Sequence, residues 1–152
     1  MRYSKVIFCS RDCTYRAPVA AEILVKKLVG TTLDGLIAIE AKGMMVMFPE
    51  PVNGKAVAIG KSKGYSLDQY AACEIADTDF GIDTLVLVMT DKGKRRVYDV
   101  YASAINVYTI KEFVGLSGDI GIPFGMGLSD YGESFNQLEE LVGQVANKLL
   151  SM

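Results

Sequence analysis

Ser10 and Arg16, separated by five residues, bracket a segment whose residue types suit the capture of an oxyanion: residues 10–16 read SRDCTYR. An arginine guanidinium offers a rigid fork of donors that matches two oxygens of a phosphoryl group, and it stays charged at any physiological pH. The hydroxyl of Ser10, the carboxylate of Asp12 and the thiol of Cys13 stand within the same seven residues, beside Arg11, Thr14 and Tyr15. On residue types alone this is an anion site, and a solvated turn with a surface arginine would share the same short pattern.

Such a cluster needs elements to hold it. Residues 5–9 form a short apolar run of strand formers. After the cluster, Pro18 opens a stretch with Ala20, Ile23, Leu24 and Leu28 at helical spacing. The seven residues therefore bridge a strand end and a helix start, where unpaired N–H groups and the positive end of the helix dipole favour an anion.

Further along, Gly30 marks a helix C-cap and residues 35–41 (GLIAIEA) read as a second strand. The Met-rich run Met44, Met45, Val46, Met47 and Phe48 follows, as packed filling or as an adaptable binding surface. Helices are expected from Pro51 toward Gly64 and over residues 68–76, with Cys73 on a core-facing side of the second. Residues 85–89 (LVLVM) form a continuous apolar run suited to a strand buried on both faces. Asp91 caps a helix to about Tyr101, residues 105–110 give a fourth strand, and Phe135, Leu138, Leu141, Val142, Val145, Leu149 and Leu150 trace a closing helix.

This β-α-β-α-α-β-α-β-α order predicts an α/β fold: a four-stranded parallel sheet with helices on both faces, a three-layer sandwich. Ligands gather at the C-terminal ends of such strands, which is where residues 10–16, the loop after Ala41, the loop after Thr90 and the Gly-rich segment after Ile110 emerge. Lys92, Lys94, Arg95 and Arg96 crowd the first turns of one helix, where the dipole disfavours cations unless an anion is near; a solvated basic face is the ordinary alternative.

Composition narrows the classes. The chain has 152 residues, half of them apolar, enough for a single domain over 1–152 with a continuous core. Sixteen basic residues against eighteen acidic ones give a formal charge of -2, so no general field favours nucleic acid or an anionic membrane. The start lacks a secretory leader pattern and no apolar stretch reaches the ~18 residues of a membrane span, so a cytoplasmic protein is expected. Three cysteines, at positions 9, 13 and 73, form no paired framework. Histidine is absent, which removes Ser-His and Cys-His pairs and histidine-ligated metal. No cofactor or metal is expected, and nothing in the sequence speaks to oligomerisation.

With loop, helix and strand order in place, the chain resembles the low-molecular-weight protein tyrosine phosphatase family, including its protein arginine phosphatase branch. The resemblance spans nearly the whole length and rests on SRDCTYRAP, on VMTDKGKRR after the central strand, on TIKEF, on IPFG and on the closing helix. In the family these segments carry a cysteine, five residues, arginine, Ser/Thr and proline, and later an aspartate before Pro-Tyr or Pro-Phe and glycine. The resemblance thus puts Ser10 at the nucleophile position and Ile122 at that of the general acid, with Arg16, Pro18 and Phe124 kept. Cys13 stands for a bracing asparagine, Tyr15 for a second cysteine and Ala17 for a hydroxyl.

A serine gains little from the helix end and arginine that make a thiolate available, and a hydroxyl needs a partner base, for which this chain has no histidine. Asp12 would repel a dianionic substrate while competing for the same donors, and Ile122 cannot protonate a leaving oxygen. No phosphoenzyme at Ser10 is expected. Cys9, one residue early, should turn into the core. Cys13 remains an alternative nucleophile or redox thiol, or a structural one. Cys73 lacks the neighbouring cysteine that related arsenate reductases use to relay a disulfide. Thr14 and the Phe of IPFG lean toward the arginine phosphatase branch.

The resemblance implies a pseudophosphatase that binds phosphate or a phosphorylated residue of a protein through Ser10, Arg11, Asp12, Cys13, Thr14, Tyr15 and Arg16, walled by Met44 and Phe124, with Tyr131 either a further wall or a packed loop anchor. An active phosphatase of low efficiency using Ser10 or Cys13, and a scaffold without ligand, are the two alternatives.

Overall fold

Alternation of side chains along buried strands explains how the layers assemble in the computed structural model, which describes residues 3–123 and 127–152. In β1 (Lys5–Ser10), Val6 and Phe8 join the larger core cluster, while Ile7 and Cys9 point the other way into a smaller one. Its neighbour β3 (Thr84–Val88) splits in the same manner, Leu85 and Leu87 to one face, Val86 and Val88 to the other. Both strands are covered on two sides, as continuous apolar runs require.

The sheet order is β2-β1-β3-β4, with β2 at Ala38–Gly43, β4 at Val107–Thr109 and every pairing parallel. Helices α1 (Arg16–Leu28) and α5 (Leu128–Ser151) cover the larger cluster. On α5, Phe135, Leu138, Val142 and Val145 are fully buried, each contributing roughly 1.5–3 kcal/mol by leaving water. Helix α3 (Asp91–Val100) covers the opposite face through Val97. All four strands run the same way, so Ser10, Gly43, Val88 and Thr109 end at one edge.

Several boundaries differ from those expected, for identifiable reasons. Gly30 takes the left-handed φ of 77° just past the α1 cap at Val29, as a C-terminal glycine should. Gly35 at φ 73° prolongs the following turn, so β2 starts at Ala38 rather than at 35. Asn53 delays α2 to Gly54–Ser62 by accepting the Lys55 and Ala56 N–H groups on its side chain. Asn106, at φ 58°, shortens β4. Thr109 and Glu112 then form a reciprocal cap that starts α4 (Ile110–Phe113), a single turn not expected from the sequence.

The helix expected over residues 68–76 is not formed. Its main chain is claimed by neighbours: the Gly43 N–H donates to the Cys73 carbonyl at 2.8 Å, the Ile75 N–H to Gly43 at 2.9 Å, and the Ala72 N–H to Glu50 at 2.8 Å. The buried Glu22 carboxylate on α1 pins the start of the segment, accepting from Ser66 N–H, Gln69 Nε2 and the Tyr70 hydroxyl. Only a 3-10 turn at Asp77–Asp79 is helical there. Cys73 is consequently exposed, its sulfur 3.3 Å from Lys42 Nζ, not a core residue on a helix face.

Among the described residues, no helix is long and apolar enough to cross a membrane.

Candidate functional site

At the C-terminal edge of the sheet, residues 10–15 turn back tightly between β1 and α1. The turn passes through Cys13 at φ 62°, a left-handed conformation in which a non-glycine residue is strained. Local hydrogen bonds hold it. The Cys13 N–H donates to Ser10 Oγ at 3.2 Å, and Asp12 Oδ1 accepts from the Thr14 N–H at 3.2 Å and the Thr14 hydroxyl at 3.0 Å. From outside, the Met44 N–H reaches the Ser10 carbonyl at 3.0 Å, the Met45 N–H reaches that of Arg11 at 2.8 Å, and the Asn53 N–H reaches that of Thr14 at 2.8 Å.

Gly43 is what lets β2 approach this closely. A Cβ on it would lie 2.7 Å from Val46 Cγ2 and 3.1 Å from both the Asp12 carbonyl carbon and Cys13 Cβ. No ordinary side chain fits in that gap.

Arg16 lies at the base of the loop. Its Nη1 donates to the Ile120 carbonyl at 2.8 Å, and the Ile120 N–H in turn donates to Met89 at 2.8 Å, tying the guanidinium to the end of β3. Burial pulls the Arg16 pKa below its ordinary 12.5, and Asp12 nearby opposes the shift, so the group remains a cation. Helix α1 has no side-chain cap at Tyr15 and no acidic residue in its first turn. The helix itself therefore supplies no carboxylate to its positive end, and Asp12 in the preceding turn, bonded to Thr14, is the nearby negative group.

A cavity of about 410 Å³ opens beside the loop, within the ~300–1,000 Å³ range of small-ligand sites. Of the seven residues expected to bind an anion, Ser10, Arg11 and Arg16 line it, and Met44 lies on its wall. Asp12 and Thr14 instead bond to each other. Tyr15 is buried against Tyr131, the rings in edge contact at 5.1 Å. Tyr131 is thus an internal brace, bonded through its hydroxyl to Asn53 Nδ2 at 3.2 Å, and not a wall of the cavity. Phe124 lies outside the described residues.

The thiols differ in environment. Burial pushes Cys9 up to about 12 and Cys13 up to about 11, so neither yields a thiolate near neutrality. Cys9 is in the smaller core cluster, as its strand position requires. The Cys13 sulfur is buried beside Gly43 and the Cys73 main chain, away from the cavity. Ser10 is 2% exposed, whereas Ile122 is 72% exposed.

Sequence reasoning missed part of this site. Met89, Thr90 and Gly93 line the cavity from the β3–α3 side, and Lys92 and Arg96 do so as well, against the ordinary reading of that run as a solvated face. Anchoring of Arg16 by Ile120 uses a carbonyl, which every residue has, and so left no mark in the sequence.

Known proteins are similar to this chain in sequence and in fold. The profile of the low molecular weight phosphotyrosine protein phosphatase family aligns with residues 5–151. The low molecular weight protein-tyrosine-phosphatase PtpB of Staphylococcus haemolyticus is 28% identical over 141 residues, covering 93% of this chain and 96% of its own. A low molecular weight protein tyrosine phosphatase from T. tengcongensis superposes with a TM-score of 0.85 at 29% identity, covering 95% of this chain and 98% of that one. The YwlE arginine phosphatase, solved as a cysteine-to-serine variant with a phosphorylated active-site serine, gives a TM-score of 0.85 at 27% identity over 95% of each chain.

Proposed function

Because this chain belongs to the low molecular weight phosphotyrosine protein phosphatase family, we propose that it seats a phosphorylated side chain in the residue 10–16 cradle and holds it without the family's hydrolytic chemistry. The observation that carries this reading is the placement of Arg16, turned in under the loop by its 2.8 Å bond to Ile120, with Ser10 and the uncapped start of α1 beside the same cavity. A guanidinium and a helix end so arranged bind a tetrahedral oxyanion.

The chemistry is what the chain does not supply. On the family resemblance, Ser10 stands where a thiolate attacks and Ile122 where an acid protonates the leaving oxygen. Ser10 Oγ accepts the Cys13 amide, and the one carboxylate of the loop, Asp12, is bonded to Thr14 rather than to Ser10. The alternative nucleophile Cys13 is buried, protonated at neutral pH and not among the residues that line the cavity. Thr14 gives its hydroxyl to Asp12, so it lends no weight to phosphoarginine over phosphotyrosine.

Calorimetric titration with inorganic phosphate tests the reading. Arg16→Ala is expected to weaken binding by about 10- to 100-fold, the worth of a charged hydrogen-bonding partner. Wild-type protein that ignores phosphate, or a variant that binds it equally well, overturns the reading in favour of a scaffold without ligand.

One observation favours a second reading. The serine form of the YwlE relative carries a phosphorylated active-site serine. Ser10 would then take a phosphoryl group slowly, its Oγ–P bond forming as the ester P–O bond breaks, with its proton passing to the departing oxygen. With no acid or base to activate water, the phosphoserine would persist. Intact-mass and peptide mass spectrometry after incubation with an aryl phosphate checks this; an unmodified Ser10 dismisses it.

A further inference from the structure

We propose that the cavity takes a phosphoryl group accompanied by a second anionic group, recognised by Arg11, Lys92 and Arg96. The inference rests on the phosphate-binding reading and extends it to ligand class. Among the described residues, four cations line the cavity, Arg11, Arg16, Lys92 and Arg96, and no carboxylate does. A phosphate monoester brings at most two negative charges, and Arg16 with the α1 dipole already answers much of that.

The pairing of cations along α3 shows the imbalance is local. Lys94, off the cavity, is bonded to Glu112 at 2.8 Å, and Arg95 lies 3.5 Å from Asp91. Lys92 and Arg96, one turn apart on the cavity side, have no ion pair among the described residues, and neither has Arg11. Cations in the first turns of a helix oppose its dipole, so the arrangement costs stability unless an anion sits between them. Met44, Met45 and Met89 supply an apolar wall on which the body of such a ligand can rest.

The second anion can belong to a diphosphate or to an acidic side chain next to a phosphorylated residue. The chemistry is the same and the probes separate the sources. Affinities for orthophosphate, pyrophosphate and two phosphotyrosine peptides, one with Asp and one with Ala beside the phosphoresidue, are measured by calorimetry. Wild type should favour pyrophosphate over orthophosphate, and Lys92→Ala with Arg96→Ala should cut that ratio about tenfold, while Arg95→Ala on the same helix leaves it in place.

A gain shared by the Asp-flanked peptide and lost in the double variant assigns the second anion to a carboxylate; a gain confined to pyrophosphate assigns it to a diphosphate. A ratio unmoved by the double variant, or moved equally by Arg95→Ala, overturns the proposal. Orthophosphate binding that depends on Arg16 would still uphold the phosphate-binding reading in that event.

Discussion

At the junction of β3 and α3, Thr90 Oγ1 accepts the Gly93 N–H at 2.9 Å, Asp91 sits in the first turn, and its N–H reaches Asp119 at 2.9 Å. At the junction of β1 and α1, on the same edge of the same sheet, Tyr15 offers no cap, no acid follows, and Arg16 is drawn inward to Ile120. Both helices present a positive dipole end and free amides to solvent unless something answers them. The helix amides of the first junction are answered by its own side chains, although its Lys92 and Arg96 are not, whereas the start of α1 has no side-chain cap. The difference lies where we propose that the phosphoryl group is held.

The largest effect should come from returning chemistry to the unsatisfied junction. Ser10→Cys with Ile122→Asp is expected to raise aryl-phosphate turnover from background by several orders of magnitude, since an acid alone contributes about 10²–10⁴-fold and a thiolate there has a helix end and Arg16 to stabilise it. A well-folded double variant that stays inert in a spectrophotometric assay would mean that the cradle is wrongly shaped for transfer.

Next in size is a paired substitution that separates the two junctions. Gly43→Ala forces Val46 and the 12–13 backbone apart and should lower stability by about 1–3 kcal/mol, weakening phosphate binding with it. Thr90→Ala removes a helix cap and should cost about 1 kcal/mol, with a much smaller change in phosphate affinity. Thermal melts and calorimetry read both, and equal losses of phosphate affinity would erase the contrast drawn between the junctions.

The smallest effect concerns the strained residue inside the loop. Burial raises the Cys13 thiol from 9.0 to about 11, so the unfolded chain releases this proton first. The corresponding stability is fully present below pH 9 and is lost as pH rises toward 11. Melting temperature should fall across that window, and the fall should be shallower in Cys13→Ser. An equal slope in that variant would show that Cys13 is not buried as described.

Much of the site was legible because its residues are close in the chain. A strand, a seven-residue turn and a helix start are local patterns, so Ser10 and Arg16 could be placed on one loop at the sheet's C-terminal edge from periodicity and spacing. The same locality misled at residues 68–76, where helical spacing was real but Gly43, Glu50 and Glu22 took the hydrogen bonds a helix would have used. At Tyr131 the resemblance left two roles open, wall or packed anchor, and the ring packs on Tyr15.

What the sequence by itself determined is the layer order and the residue types around the anion loop, because buried strands must be apolar throughout and helices must carry apolar stripes. Which side chains face the cavity, and which cations go without a carboxylate, was decided only by tertiary structure. Charges are paired across elements distant in the chain, as Lys94 is with Glu112, and Arg16 is held by a main-chain oxygen that no residue type announces.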